Sequence, residues 1–209
     1  MAGRFIQQYA FFFDASACTG CKACQLACKD KNDLGPGLLW RRVYEVSGGA
    51  WRREGEAWTP DIAAYNVSLA CNHCLNPSCV DSCPTGAVWK RADGLVFIDG
   101  EKCIGCRYCE WACPYGAVRF DAAAHRATKC DFCSDLVGAG EKPACVAACP
   151  ARALDCGDFE ELKKIYGEEN AIFPLPDPSL TEPALILKPH RDASGAEDKN
   201  AAVANWEEL

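Results

Sequence analysis

The 209-residue sequence has no apolar run of 18 residues, so no segment is predicted to cross a bilayer as a helix. It also has no Ser/His/Asp set, phosphate-binding loop or glycine-rich dinucleotide fingerprint. The C-x3-C-x2-C triad that leaves one iron open for radical chemistry is absent too. We therefore expect no catalytic site on this chain.

Two further features of the sequence limit its location and partners. The first 14 residues are too short for a secretory signal peptide and contain no twin arginine, so we expect no export signal on the chain itself. Basic residues are outnumbered, with 22 Lys and Arg against 29 Asp and Glu and a formal net charge of −7. An acidic chain of this kind argues against a nucleic-acid partner.

Cysteine, in contrast, is abundant, with 17 residues. The stretch 103–114 reads C-I-G-C-R-Y-C-E-W-A-C-P, which is the C-x2-C-x2-C-x3-C-P run of bacterial ferredoxins. Three close thiolates in a loop can bind three corners of one cubane cluster. The fourth lies on a helical turn that proline ends, and it points towards a second cluster.

Three variants of this run occur elsewhere in the chain. Motif one lacks the proline, motif two has two residues inserted before its third cysteine, and motif four has a long insertion there. In chain order the four motifs are Cys18, Cys21, Cys24 and Cys28; Cys71, Cys74, Cys79 and Cys83; Cys103, Cys106, Cys109 and Cys113; and Cys130, Cys133, Cys145 and Cys149. These 16 cysteines predict four [4Fe-4S] clusters and an electron carrier. The spacing disfavours a disulfide framework or structural zinc.

Short elements are predicted around the motifs, which gives an α+β fold of duplicated ferredoxin-like units. Strands are expected at Tyr9 to Phe13, at Tyr65 to Leu69 and after each Cys-Pro turn. The interval 29–70 is predicted to be an insertion with a β-hairpin that turns at Gly48-Gly49.

The C-terminal part is expected to be a helix followed by an extended segment. Asp158 can cap a helix that runs to about Glu169, with Phe159, Leu162, Ile165 and Tyr166 on one face. Four prolines then favour extended chain, and Ala184 to Leu187 is a candidate strand. The tail from Asp192 is predicted to be mobile unless a partner holds it. We therefore predict a four-cluster domain over 1–157 and a helix with a partner-binding tail over 158–209.

Several segments resemble the iron–sulfur electron-transfer subunits of the molybdopterin oxidoreductases, most closely the anaerobic dimethyl sulfoxide reductase branch. The matching segments are C-T-G-C-K-A-C-Q-L-A-C-K-D, W-R-R-V-Y-E, C-N-H-C-L-N-P-S-C, C-I-G-C-R-Y-C-E-W-A-C-P-Y-G-A, K-P-A-C-V-A-A-C-P-A-R-A-L-D and the P-L-P and L-K-P elements of the tail.

The resemblance implies how the cysteines pair, which spacing alone leaves open. Motifs one and four would form one two-cluster unit, and motifs two and three the other. The implied ligand sets are Cys18, Cys21, Cys24 and Cys149 (cluster 1); Cys28, Cys130, Cys133 and Cys145 (cluster 2); Cys83, Cys103, Cys106 and Cys109 (cluster 3); and Cys71, Cys74, Cys79 and Cys113 (cluster 4). Relatives with tryptophan in place of Cys106 hold a three-iron cluster, so the cysteine here predicts a fourth cubane.

The same resemblance implies the role and partners of the protein. It would relay electrons between a quinol-oxidising membrane anchor and a molybdopterin catalytic subunit that reduces dimethyl sulfoxide or a related S- or N-oxide. Its place would be peripheral on the inner membrane, on the outer face after export by the partner, with the cytoplasmic face as the alternative. Polysulfide, thiosulfate or tetrathionate reductases, formate dehydrogenases and nitrite reductase systems use the same motif order. A free-standing polyferredoxin is the rival from another class.

Three residues near the motifs carry further expectations. Arg107, between two ligands, is the basic residue most expected to raise a cluster's potential. His73 is expected to make a hydrogen bond within its loop or to contact a quinone or a neighbouring cluster. Cys156, the seventeenth cysteine, is expected to be a small buried apolar residue and not a ligand.

Overall fold

Short strands and helices alternate along the chain in the computed structural model, which describes residues 7–193 and 200–208. The strands of these described residues are β1 (Tyr9–Asp14), β2 (Arg42–Glu54), β3 (Ala57–Leu69), β4 (Val88–Lys90), β5 (Val96–Ile98), β6 (Arg119–Asp121), β7 (Arg126–Thr128), β8 (Leu154–Asp158), β9 (Leu185–Lys188) and β10 (Ala202–Val203). The α-helices of the same ranges are α1 (Ala23–Lys31), α2 (Ser78–Asp81), α3 (Tyr108–Ala112), α4 (Ser134–Gly138), α5 (Ala144–Ala147) and α6 (Phe159–Tyr166). Within these ranges, no helix combines the length and apolar composition that a bilayer span needs.

β1 is the middle strand of a three-stranded sheet, antiparallel to β8 and parallel to β9. Phe11 and Phe13 enter the main core, whereas Phe12 points to the other face and packs with Phe159 of α6. Both faces of β1 are therefore buried, which explains why its sequence is a continuous apolar run. The predicted strand at Tyr9 to Phe13 is confirmed.

β2 and β3 form an antiparallel hairpin, but the predicted position of its turn is wrong. Gly48 and Gly49 lie inside β2, opposite Ala63 and Ile62, and the chain turns between Glu54 and Ala57. A Cβ atom on Gly48 would lie 2.4 Å from the Cα of Ala201 in the C-terminal segment. Gly49 has φ +85°, and a Cβ there would lie 1.9 Å from the carbonyl oxygen of Asp61. These glycines permit close approach of neighbouring backbone and do not form a turn.

Two smaller hairpins follow motifs two and three, where β4 pairs with β5 and β6 pairs with β7. Helix α6 begins as predicted, because the Asp158 carboxylate accepts hydrogen bonds from the amides of Glu160 and Glu161. The helix ends at Tyr166 and not at Glu169. Ile165, predicted on the buried face, is 69% exposed.

The last described residues, 200–208, pair with β2 of the same chain, which the prediction of a mobile or partner-held tail did not foresee. β10 pairs antiparallel with β2, and Asn205 makes two hydrogen bonds to the same strand. Residues 194–199 of the tail lie outside the described residues. The division of the chain at residue 157 stays a prediction.

We expect Asn205→Ala to release the C-terminal segment from β2. The Asn205 side chain donates to the carbonyl of Val43 at 2.9 Å and accepts from the amide of Glu45 at 2.9 Å, so alanine leaves both groups without that partner. An unsatisfied buried polar group costs about 1–3 kcal/mol. Amide hydrogen exchange at Glu45 and Ala204 should accelerate, while exposed Glu207→Ala serves as the control. Unchanged exchange in Asn205→Ala would show that β10 pairing alone holds the segment.

Candidate metal centre

All 17 cysteines have free thiols, which contradicts the disulfide alternative. The first two cysteines of motifs one and three lie in a loop that leads into α1 or α3, and the third, Cys24 or Cys109, lies in the first turn of that helix. The last cysteine of each motif follows a helix or lies near its end. In motifs one and three, the loop and the first helical turn therefore present three thiols together, and the helix separates the fourth from them.

The four motif loops share one backbone feature. The residue directly before the second cysteine has a positive φ in every motif: Gly20 (71°), His73 (44°), Gly105 (71°) and Phe132 (65°). Residues other than glycine rarely adopt this conformation, so its presence at His73 and Phe132 points to a strong local constraint. The four loops are thus versions of one turn, although two of them contain insertions further on.

The three Cys-Pro turns share a second feature. The third residue after the cysteine has a positive φ in each turn: Gly86, Gly116 and Arg152. This turn directs amide groups at the sulfur, as when Ala117 N–H donates to Cys113 Sγ at 3.4 Å and Ala153 N–H donates to Cys149 Sγ at 3.3 Å. Hydrogen bonds of this kind favour the thiolate form, which is the form that binds iron.

Motif one lacks the proline and differs in structure accordingly. Helix α1 continues through Cys28 for nine residues, whereas α2, α3 and α5 have four or five. Proline offers no N–H to a continuing helix, so its absence after Cys28 allows the longer element.

A pocket between motifs one and four contains four thiols. Its walls include the apolar side chains of Phe13 and Val43 and the thiols of Cys18, Cys21, Cys24 and Cys149. Burial, followed by the neighbouring thiols Cys24, Cys149 and Cys21, raises the pKa of Cys18. The structure therefore brings together the first three cysteines of motif one and the last cysteine of motif four.

Three other groups of thiols also lie close enough to act on one another. In each group burial raises the pKa of one thiol first, and neighbouring sulfurs add to the effect. The pKa of Cys28 rises to about 12, and its sulfur neighbours are Cys145 and Cys133. The pKa of Cys109 rises to about 11, and its sulfur neighbours are Cys103, Cys83 and Cys106. The pKa of Cys79 is also raised, and its sulfur neighbours are Cys71, Cys113 and Cys74.

Some thiols of different groups are also neighbours. The pKa of Cys24 is raised by burial and by Cys145 of the next group, against the opposing effects of Arg41 and Ser68. Burial raises the pKa of Cys130 well above its usual value, and its sulfur neighbours include both Cys28 and Cys71. Cys79 and Cys109 share one apolar core with Val88 and Val96.

Arg41 is a buried cation that the sequence analysis missed. Only 2% of the residue is exposed, and its guanidinium stacks over the Phe11 ring at 4.7 Å. Burial alone would lower its pKa, but Cys145, Cys24, Cys130 and Cys28 raise it. No spacing rule marked this arginine, because its proximity to the thiols arises only when the start of β2 packs against motifs one and four.

Arg107, in contrast, does not have the environment expected of it. Its side chain is exposed and forms an ion pair with Glu110 at 2.6 Å, which raises its pKa. Its charge is both partnered and screened by solvent, so the expectation that it tunes a cluster finds little support.

His73 and Lys129 are buried and connect motifs two and four to the start of β5. His73 makes a hydrogen bond as expected, but its partner lies in β5 and not in its own loop: Val96 N–H donates to His73 Nδ1 at 2.9 Å. Lys129 Nζ donates to the carbonyls of Val96 and Cys130. Burial and the nearby positive charge of Lys129 hold the pKa of His73 well below its usual value, so its ring is neutral.

Cys156 lies on β8, opposite Phe11, and is only partly buried. Burial, Asp155 and Cys145 raise its pKa to about 11. It is a neutral thiol at the edge of the motif-four group.

The donor chemistry of these groups fits cubane iron–sulfur clusters. Each group offers thiols from two motifs, with backbone amides directed at several of the sulfurs. Within residues 7–193 and 200–208, no three His, Cys, Asp or Glu side chains are close enough to ligate a single ion. That finding concerns mononuclear sites, whereas a cubane distributes its four thiolates over four iron atoms.

Comparison with known families and proteins identifies the same chemistry. A model described as "4Fe-4S dicluster domain" matches residues 62–159, and one described as "4Fe-4S binding domain" matches residues 9–30. The sequence is 47% identical to the B subunit of the anaerobic dimethyl sulfoxide reductase of Escherichia coli (strain K12), over 97% of its length and 98% of that protein. It is also 47% identical to the B subunit of the anaerobic dimethyl sulfoxide reductase of Haemophilus influenzae, over 98% of its length and all of that protein. The formate dehydrogenase iron–sulfur subunit of Haemophilus influenzae is 36% identical, over 78% of this sequence and 55% of that protein.

We expect Gly105→Ala to lower the iron content, and Gly86→Ala to leave it unchanged. Both glycines have a positive φ, so alanine costs about 1–2 kcal/mol of backbone strain at either position. A Cβ on Gly105 would also lie 2.7 Å from the carbonyl oxygen of His125, whereas nothing lies within 4 Å of one on Gly86. Iron per polypeptide after anaerobic purification distinguishes the two variants. Equal iron in both would mean that the motif-three loop adapts to the added methyl group.

Proposed function

The protein belongs to the family of iron–sulfur subunits of anaerobic dimethyl sulfoxide reductases, and from this membership we propose that it relays electrons through four [4Fe-4S] clusters to a molybdopterin catalytic subunit. The electrons would come from a membrane anchor subunit that oxidises quinol. The final acceptor would be dimethyl sulfoxide or a related S- or N-oxide. Identity of 47% over nearly the whole of both sequences is the observation that carries this proposal.

Each proposed cluster takes three thiolates from one motif and one from another. The pocket lined by Cys18, Cys21, Cys24 and Cys149 supports the first set. The neighbouring thiols of Cys28, Cys109 and Cys79 support the other three, which are Cys28, Cys130, Cys133 and Cys145; Cys83, Cys103, Cys106 and Cys109; and Cys71, Cys74, Cys79 and Cys113.

The clusters would form a line in the order 1, 2, 4 and 3. Cys145 of the second set contributes to the raised pKa of Cys24 in the first, and Cys71 of the fourth set contributes to the raised pKa of Cys130 in the second. Cys79 and Cys109 then link the fourth set to the third through their common core. A line of this kind places a partner at each end, at cluster 1 and at cluster 3.

The cysteines of the protein would hold the clusters, and hydrogen-bond donors beside them would stabilise the negative charge of the clusters. A bound cubane supplies reversible one-electron chemistry. Amides such as those of Ala117 and Ala153 donate to ligand sulfurs, and Thr181 Oγ1 lies 3.3 Å from Cys74 Sγ. These hydrogen bonds stabilise negative charge on sulfur and so favour the more reduced state.

The partner subunits and the location follow the same proposal. The protein would sit peripherally on the inner membrane, on the outer face, after export of the folded complex by a signal on the catalytic subunit. The match to a formate dehydrogenase iron–sulfur subunit supports a second candidate, the same electron relay in a complex with another substrate. Its lower identity and partial coverage favour the sulfoxide assignment.

Electron paramagnetic resonance on the intact native complex tests this function. After anaerobic reduction we expect signals from several interacting cubanes, and dimethyl sulfoxide should bleach them as electrons leave through the catalytic subunit. Buffer alone and formate are the matched controls. Signals that persist with dimethyl sulfoxide would overturn the substrate assignment and leave the relay intact. A [3Fe-4S] signal in fresh anaerobic protein would contradict the fourth cubane.

Cysteine-to-serine variants test the ligand sets. Cys21→Ser and Cys149→Ser should alter the same cluster signal, although the two residues are far apart in sequence, because both belong to the first set. Cys145→Ser should alter a different signal. Cys156→Ser is the matched control and should leave all four signals and the iron content unchanged. If Cys149→Ser and Cys145→Ser altered the same signal, the proposed exchange of the last cysteines would be wrong.

A further inference from the structure

Arg41 is held rigidly by its neighbours. Its Nη1 donates to Ser68 Oγ at 3.1 Å, and Ser68 Oγ lies 3.4 Å from Cys24 Sγ. The guanidinium stacks over the Phe11 ring. Serine, aromatic ring and burial together restrict the guanidinium to one position beside a predicted ligand.

Two of the N–H-bearing nitrogens of Arg41, Nε and Nη2, have no hydrogen-bond partner in the described part of the protein. A buried cation with unused donors is costly unless negative charge compensates it. None of the ion pairs of the described residues involves Arg41. Among the described residues, the groups whose negative charge acts on Arg41 are thiols.

The sulfur atoms that act on Arg41 come from two of the proposed ligand sets. Cys24 belongs to cluster 1, whereas Cys28, Cys130 and Cys145 belong to cluster 2. The guanidinium therefore lies beside the thiols of both of these sets.

We propose that Arg41 is a fixed cation shared by clusters 1 and 2, which raises the reduction potentials of both and leaves its Nε and Nη2 donors available to their sulfur atoms. This proposal rests on the four-cluster function proposed above. Reduction adds one negative charge to a cluster, and a buried positive charge nearby stabilises the reduced state more than the oxidised state. Clusters 1 and 2, at one end of the proposed line of clusters, would thus have higher reduction potentials than they would without Arg41.

Arg42 provides a matched control on the adjacent residue. It is equally buried, at 4% exposure, and stacks over the Tyr44 ring at 5.4 Å. Its Nη2 donates to the carbonyl of Tyr115 at 2.8 Å, and Cys113 of cluster 4 is the thiol that acts on it. The two arginines thus have the same charge and similar burial but face different clusters.

The experiment is a potentiometric titration of the complex in which electron paramagnetic resonance monitors each cluster. It compares the wild type with Arg41→Gln, Arg41→Lys and Arg42→Gln. In Arg41→Gln we expect the reduction equilibria of clusters 1 and 2 to shift at least tenfold towards the oxidised state, which is about 59 mV for one electron. Arg41→Lys keeps the charge and should stay near the wild type. Arg42→Gln should leave clusters 1 and 2 unchanged.

Each outcome decides the proposal. Unchanged potentials in Arg41→Gln with full iron would overturn it, as would a shift in all four clusters. If Arg41→Gln loses iron, the proposal requires that clusters 3 and 4 remain and that Arg41→Lys retains all four; loss of every cluster in both variants would show a purely structural role. The wild-type iron content and spectrum test the four-cluster function separately, so its failure would be recognised before any variant is compared.

Discussion

Negative charge on buried sulfur is the constraint on which this structure depends. Ligation requires thiolates, yet burial raises the pKa of most of the candidate ligands, including Cys28 to about 12. The protein offsets that cost with amides that donate to sulfur, with hydroxyl groups such as Thr181, and with a buried guanidinium. At Cys83 the hydrogen bonds outweigh burial. Burial is slight there, and donors from Val88, Thr85 and Ala87 lower the pKa of the thiol.

This constraint also explains why so little of the protein is regular secondary structure. Left-handed residues recur at fixed places in the loops and in the Cys-Pro turns, because only such turns expose several amides to one centre. The long hairpin and the β8-β1-β9 sheet then surround these turns. β9 adds a strand from the C-terminal part of the chain to that sheet, and β10 adds another to the hairpin.

The sequence predicted the features that depend on local chemistry. Cysteine spacing indicated the four motifs, the aromatic run at Tyr9 to Phe13 predicted β1, and Asp158 predicted the start of α6. Prediction from the sequence was wrong where segments distant in the chain contact each other. Gly48-Gly49 has the composition of a turn, but the glycines serve the approach of Ala201 and Asp61, which no local rule reveals. The ordered C-terminal residues were missed for the same reason, since their partners lie more than 150 residues earlier.

Arg41 and Arg107 show the same distinction within the candidate site. Arg107 stands between two predicted ligands in sequence, yet its side chain is exposed and pairs with Glu110. Arg41 is 13 residues from the nearest motif cysteine, yet it is buried among the sulfurs of two motifs. Proximity in sequence is therefore a poor guide to electrostatic influence, because influence depends on burial as much as on distance. For a series of clusters, the charges that matter are those which the fold keeps away from water, and these come from the strands that pack against the motifs.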